Sequence, residues 1–336
     1  MATVLNFSNF TFTAEQIREV SELVMDKLMS LPNFNRIHTI FPDIVTNKEV
    51  GFVGEGGLVG VENQGCDPTA QDYNVATRKV TWTPKEWEVL VHQCYSDLQS
   101  TAAVYSRKAG VKMADFSESD YMALIVDCLT RSIGKMMWRM TWFGDTTYST
   151  TYQGANAQYF TMFDGLFKQI FTQLTTNTAQ YVAFASHSTA TSLFDAMVKA
   201  APMALRQSSN KVLLVTQSVY DMYEAELIGA AAIPAAWTAG QEGMPELKYK
   251  GISVIAMPVW DEMIASFNKD ASTGNVVYPN RAVFTTPEVL GVGVDSMSSL
   301  EELNVWYDRD SRKVKAEAMG IMDAKLLNPE FLVASY

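Results

Sequence analysis

Basic residues, cysteine and histidine are all scarce in this chain of 336 residues, and each shortage excludes something. Lys and Arg total 26 against 37 Asp and Glu, which leaves a net charge of −11. A protein that reads nucleic-acid sequence needs a basic face, so that class is disfavoured. A protein that only encloses nucleic acid is still allowed. Cys66, Cys94 and Cys128 are odd in number and widely spaced. They fit reduced thiols in a cytoplasm and show no zinc-type pairing. His38, His92 and His187 each stand alone, whereas a helical zinc pair needs two histidines at i and i+4 with a carboxylate nearby. There is no Gly-x-Ser-x-Gly elbow and no phosphate-binding Walker lysine.

Long apolar runs are missing too. No segment reaches the roughly 18 to 20 unbroken apolar residues of a membrane span. The first eight residues lack the basic region and apolar core of a signal peptide. Two glycosylation triplets, at 6–8 and 9–11, are therefore read as chance matches. The expectation is a protein that is not an enzyme, with no catalytic, cofactor-binding or metal-binding residue and no cofactor.

What the chain does contain is apolar bulk. Hydrophobic residues make up 48% and charged residues 19%, the balance of a globular protein with a large core. One elaborate domain or two closely joined ones would accommodate it. Thr13 and Gln16 form a capping-box pattern, and Ile17, Val20, Val24 and Leu28 follow at helical spacing until Pro32. This reads either as an arm that docks on a neighbour or as a helix packed on its own domain.

From 46 to 80 the texture changes. Gly51, Gly54, Gly56, Gly57, Gly60 and Gly65 punctuate short apolar strands. The stretch predicts a long hairpin with too little apolar bulk for a core of its own. A phosphate cradle is the competing reading, but 54–60 misses the dinucleotide spacing by one residue and places Glu55 where phosphate would sit. Trp82 and Trp87 should anchor the hairpin's base. Residues 86–105 read as helical. The longest helix is expected over about 117–143, with Tyr121, Leu124, Ile125, Cys128, Ile133, Met136, Met137 and Met140 on its apolar face. Its methionine and aromatic stripe is read as core rather than as a cofactor box.

Further helices are expected over 166–171, over 188–205 with a break at Pro202, and from Ser218 to 227. Residues 211–216 form a continuous apolar run that reads as a buried strand. Residues 252–258 and 282–294 read as extended, as do 303–307 and 314–327, the last two joined by a turn at 308–311. Asp308 and Asp310 could suggest a carboxylate pair, but a solvated hairpin tip is the better reading. Trp306 should pack against the long helix or an adjoining sheet face.

The order of these parts resembles the major capsid proteins of tailed bacteriophages with the Hong Kong 97-type fold. The resemblance rests on residues 211–223, 249–258 and 280–293, with the strand pair across 306–327. Residues 37–40, 65–66, 81–87 and 142–145 are similar to capsid proteins of phages of gut Bacteroidetes, including crAss-like ones. The resemblance implies an α+β capsid fold. Residues 1–45 would be an N-terminal arm and 46–83 an extended E-loop. A peripheral domain would comprise 84–165, with the spine helix, and the terminal strands of 297–336. Residues 166–296 would form an axial domain.

It further implies self-assembly into pentamers and hexamers of an icosahedral virion shell, built in the host bacterial cytoplasm around double-stranded DNA. That DNA would be held without sequence-specific binding, and no membrane would be involved. Portal and decoration proteins would be separate partners, as would any scaffolding protein, because the arm begins within the first few residues. Some members cross-link an E-loop lysine to a neighbour's asparagine. Here no lysine lies between Lys48 and Lys79, so no such bond is expected. An encapsulin-like compartment shell is the alternative, and a soluble mixed α/β enzyme is a more distant one.

Overall fold

The computed structural model describes residues 34–53, 77–94, 120–148, 154–229, 237–239, 245–269, 275–295, 304–308, 310–311 and 313–336. The expected helix after Thr13, the glycine-rich 54–60 loop and the hairpin tip lie outside them.

Short apolar strands, the central ones buried on both faces, build the larger of two main sheets. β5 (Tyr181–Val182), β6 (Val212–Val215), β7 (Trp237–Ala239), β8 (Pro245–Tyr249), β9 (Ile252–Ala256), β10 (Ala282–Thr285) and β14 (Leu332–Ser335) pair in the order β5-β14-β10-β6-β9-β8-β7. Of these pairs, β6–β9 and β14–β5 are parallel and the rest antiparallel. Successive side chains point to opposite faces, and both faces are covered. Leu213, Val215, Val254, Phe284 and Val333 share a core with Leu193, Phe194 and Met197 of α4 (Ala190–Ala200) and with Val219 and Tyr223 of α6 (Gln217–Gly229). Leu214, Val283, Leu332 and Ala334 face the other way. They meet α2 (Asp120–Phe143), α3 (Leu166–Thr176) and α7 (Pro258–Phe267). Between α4 and β6 lies the short α5 (Met203–Gln207), beginning after the expected break at Pro202.

The second sheet covers the far side of that helical layer. It contains β1 (Thr39–Phe41), which follows the one-turn α1 (Phe34–Ile37), with β4 (Lys85–Cys94), β11 (Leu290–Val294), β12 (Asn304–Asp308) and β13 (Lys313–Leu326). β13 is its axis, pairing antiparallel with β11, β12 and ten residues of β4. Trp87, Ala318, Met322, Ala324, Val292 and Val294 join the same core as Trp138, Trp142 and Trp260. The helices α2, α3 and α7 are thus enclosed between two sheets. A separate ribbon pairs β2 (Glu49–Val53) with β3 (Thr77–Thr81).

Two glycines let the chain cross itself where α2 ends. Gly165 donates its N–H to the Gly144 carbonyl at 2.8 Å. A Cβ on Gly144 would stand 2.4 Å from the Phe163 carbonyl oxygen, and one on Gly165 would stand 2.6 Å from the Gly144 nitrogen. Both neighbours are backbone and have nowhere to move.

Several expectations change. Residues 85–94 form a strand, not the helix expected over 86–105. Glu86, Val89, Leu90 and Gln93 fit helical spacing, but Trp87, Val89 and Val91 alternate, and ten residues of ladder with β13 decide between the two. The extended run from 252 stops at Ala256, because Pro258 opens α7, a helix the sequence reading did not anticipate. Its signals were Pro258 at the first position and Asp261 in the first turn. The run 282–294 is two strands separated by a turn of 3-10 helix over Pro287–Val289. They lie in different sheets. Within 297–336, the final strand Leu332–Ser335 leaves the terminal strand pair and enters the larger sheet beside β10.

Trp306 is the clearest correction. It is 39% exposed on the edge strand β12, and among the described residues neither the long helix nor an adjoining sheet face closes over it. The face of β13 that meets the helical layer carries Ala316, Ala318 and Met322, all buried, whereas Trp306 pairs with Lys315 on the opposite face. The turn beyond it is exposed, as expected. Asp310 and Ser311 lie in solvent, and Asp308 accepts from the Asp310 N–H, the Ser311 hydroxyl and Lys315. Those donors hold the Asp308 carboxyl well below its usual range.

Candidate functional site

Three arrangements gather polar or aromatic groups, and each can be read for what it does. The first surrounds Ser192 near the start of α4, where His187 Nδ1 lies 2.9 Å from the hydroxyl. A serine–histidine pair at a helix start raises the question of acyl transfer, which also needs donors for an oxyanion. Here those donors are already engaged. The N–H groups of Ala190 and Thr191 donate to the Glu226 carboxylate, and that of Ser192 donates to Thr189 Oγ1. The cluster therefore works as a cap that ties α4 to α6.

The other histidines serve structure or solvent. His38 is 2% exposed, beneath Phe34 and Trp138. Its Nδ1 lies 3.0 Å from the Phe34 carbonyl oxygen, which can only accept, so the proton is on Nδ1. Nε2 then accepts from the Trp142 indole N–H at 3.0 Å. Burial pushes the ring's pKa down to about 3, opposed by the Phe34 bond. The imidazole is neutral and joins α1 to the end of α2. His92 is exposed on β4. Among the described residues no three His, Cys, Asp or Glu side chains are grouped to hold a metal ion. Cys66 and the side chains of Cys94 and Cys128 lie outside what is described.

The second arrangement is the base of the ribbon β2–β3, where Trp82 takes the anchoring place expected of it while Trp87 packs instead in the core shared with α2. Trp82 is fully buried with Ile44 and Leu327, its ring lying over Gly293, where a Cβ would approach to 2.9 Å. The Trp82 backbone N–H donates to the Lys48 carbonyl at 2.8 Å. One residue on, the Thr83 N–H donates to Asp323 Oδ2 at 2.7 Å, and Lys325 Nζ donates to Thr83 Oγ1 at 3.1 Å. Asp323 has no exposure, and burial drives its carboxyl pKa up against the pull of Lys325 and the two backbone donors. Trp87 is 5% exposed and lies against Gly320, where a Cβ would meet its ring at 2.8 Å. The ribbon is thus fixed at its root by one aromatic anchor, Trp82, and a buried carboxylate, Asp323.

The third is an aromatic cavity of about 440 Å³ at the end of α2. Trp142, Tyr148, Phe167, Phe171 and Tyr278 line it together with Arg281. At its rim Lys168 reaches Asp145 at 2.6 Å and Asp164 at 2.8 Å. Burial works against the ammonium, but the two carboxylates outweigh it and hold Lys168 above its usual range. The sequence reading named the Trp142–Asp145 corner without seeing the cavity. Beyond Thr147 and Tyr148, its walls come from residues 167–172 and 268–281, too far along the chain for a local pattern to show.

The sheet face turned away from the helices is also apolar in part. Leu90 and Met319 are 59% and 58% exposed, and they lie diagonally across the β4–β13 register. Trp306 lies on the same face, opposite Lys315.

No protein-family model and no curated protein matches the sequence. In three dimensions the chain is similar to a chain of the satellite phage P4 procapsid that includes the size determination protein. The two are 10% identical, with a TM-score of 0.52 over 94% of this chain and 98% of that one. A chain of Mycobacterium phage Adephagia is similar at 9% identity and a TM-score of 0.52, covering 97% and 98% of the two chains. A chain of Mycobacterium phage Ogopogo matches at 11% identity and a TM-score of 0.52, covering 92% of each. The mixed helix-and-sheet fold is therefore one found in a phage procapsid, and no enzyme family is indicated.

Proposed function

We propose that this chain is the major capsid protein of a tailed bacteriophage, a subunit that assembles with copies of itself into an icosahedral shell around double-stranded DNA. The observation that carries the reading is the extent of the structural likeness. More than nine-tenths of this chain and of the procapsid chain superimpose, so the likeness extends well beyond one shared motif. Fold alone does not dictate function, but the chemistry agrees. The serine–histidine pair found among the described residues has its nearby donors engaged, and the net charge of −11 suits a wall that must not grip the DNA it holds.

On this reading the ribbon β2–β3 is the root of an E-loop spanning 46–83, and residues 1–45 are the N-terminal arm. α2 is the spine helix. The peripheral domain comprises 84–165 with the strands of 297–336, and the axial domain comprises 166–296. We amend that division at two points. β11 pairs within the spine-helix sheet, and β14 pairs within the axial one. Pentamers and hexamers, separate scaffolding, portal and decoration proteins, assembly in the host bacterial cytoplasm and a likeness to crAss-like phages of gut Bacteroidetes belong to the same proposal. No E-loop lysine cross-link is part of it. The encapsulin-like alternative is not favoured by these structural neighbours.

The test is negative-stain microscopy of the full chain and of a variant lacking 54–76, each expressed with its scaffold. The full chain should give closed shells. The variant should stay folded and soluble but give none, because an extended hairpin offers backbone groups to another chain. Loss of cooperative unfolding in the variant would place the segment in the subunit's own core and overturn the E-loop assignment.

A further inference from the structure

We propose that the outer face of the β4–β13 ladder docks a partner protein through a segment that carries lysine or arginine beside apolar side chains. The register lays out the surface. Glu317 pairs with Leu90, Met319 with Glu88 and Ile321 with Glu86, so acidic and apolar residues alternate along and across both strands. They share one face, because Trp87, Ala318 and Met322 take the other and are buried in the core shared with the helices. Leu90 and Met319 are exposed, and Ile321 is half-buried. Diagonal neighbours in a ladder lie roughly 7–8 Å apart, within reach of long side chains. Leu90 and Met319 are diagonal, and Ile321 follows Met319 on the same strand face, so the three make one strip. A contiguous apolar strip rimmed by polar residues marks a contact surface, which scattered single side chains do not.

The carboxylates decide what covers it. Glu86 and Glu88 are exposed and Glu317 is half-exposed, and among the described residues no ion pair engages any of them. The cations of this face stand at its two ends. Lys315 reaches Asp308 at 2.5 Å, with Lys313 beside it in register with Asp308. Lys325 lies 3.6 Å from Asp323 and donates to Thr83. The middle of the ladder is left with three like charges that repel one another. A cation from a partner relieves that repulsion, while its apolar neighbours cover Leu90 and Met319.

A second copy does not fit this chemistry. The chain carries a net −11, and the exposed Lys79 of the ribbon is already paired with Glu49 at 3.1 Å. Two acidic faces brought together repel, and nucleic acid is repelled for the same reason. The occupant is therefore another, basic protein. The inference does not depend on whether the chain builds a shell.

The test is a fluorescence-anisotropy titration of the full chain against a labelled short amphipathic helix of leucine and lysine. Binding should saturate with a Kd of about 0.1 mM or tighter at low salt and weaken as salt rises. A peptide with glutamate for lysine, and one with serine for leucine, should each bind at least about tenfold more weakly. Glu86→Gln, Glu88→Gln and Glu317→Gln together should weaken the leucine–lysine peptide at least about fivefold, as should Met319→Ser alone. Removing equal charge on α6 and beside β14, with Asp221→Asn, Glu224→Gln and Glu330→Gln, should change the affinity less than about twofold. Equal loss in the two triple variants would mean attraction to net charge alone and would overturn the proposal. So would absence of saturation at about 1 mM. Self-association of the free chain that Met319→Ser abolishes would assign the face to a second copy and overturn it too.

Discussion

His38 carries a stability term whose sign follows from its bonds. The neutral ring donates through Nδ1 and accepts from Trp142, so a second proton on Nε2 would set two donors against each other. Burial holds its folded pKa at about 3, below the 6.5 of a free imidazole. The stability it contributes is therefore complete above pH 6.5 and is lost as pH falls from 6.5 towards 3. At about 1.4 kcal/mol per unit, the loss amounts to roughly 3–5 kcal/mol across that window. Urea unfolding at a series of pH values should show the decline, and His38→Gln should flatten the part that belongs to this residue. Two tryptophans make a second contrast at this scale. Trp82→Ala should cost about 3–5 kcal/mol, because it empties a fully enclosed space. Trp306→Ala should cost under about 1 kcal/mol, since that ring is 39% exposed. Denaturant midpoints of the two variants give the comparison. Trp306 looked buried in the sequence because alternation shows that a strand has two faces, not which of them is covered.

At the level of elements, the crossing where α2 gives way to α3 depends on residues with no side chain. Gly144→Ala should destabilise by about 3 kcal/mol or more, because the backbone atoms it would strike cannot yield. Gly51→Ala meets nothing within 4 Å and should change stability by no more than about 0.5 kcal/mol. Thermal unfolding of the pair separates a glycine needed for packing from one that is not. Legibility in the sequence followed the same divide between local and remote causes. The long helix, the buried run at 211–216, the break at Pro202 and the turn after Asp308 were all readable, because periodicity and turn chemistry act over a few residues. β4 was misread because the stretch offers two periods at once, Glu86, Val89, Leu90 and Gln93 at helical spacing and Trp87, Val89 and Val91 in alternation, and only its ladder with β13, more than two hundred residues away, selects one. α7 was missed because an apolar run that crosses Pro258 resembles a strand until the proline is taken as a first helical position. The cavity was unreadable for the same reason as β4, since residues 142–148, 167–171 and 278–281 meet only in the folded chain.

For the whole molecule, one layer of helices lies between two sheets, and the chain passes between those sheets more than once. β10 and β11 follow each other directly yet belong to different sheets, and β13 and β14 do likewise. These crossings couple the two sheets within one subunit. On the shell proposal, the ribbon rooted at Trp82 would meet other copies, while the outer face bearing Leu90, Met319 and Trp306 would take the basic partner. That division between a coupled body and projecting contacts is the physical content of the shell proposal. Sedimentation velocity of the full chain with its scaffold, across protein and salt concentrations, tests it most directly. Pentamers, hexamers or closed shells should dominate at high concentration. A single species at the 37.3 kDa subunit mass under every condition would contradict the account.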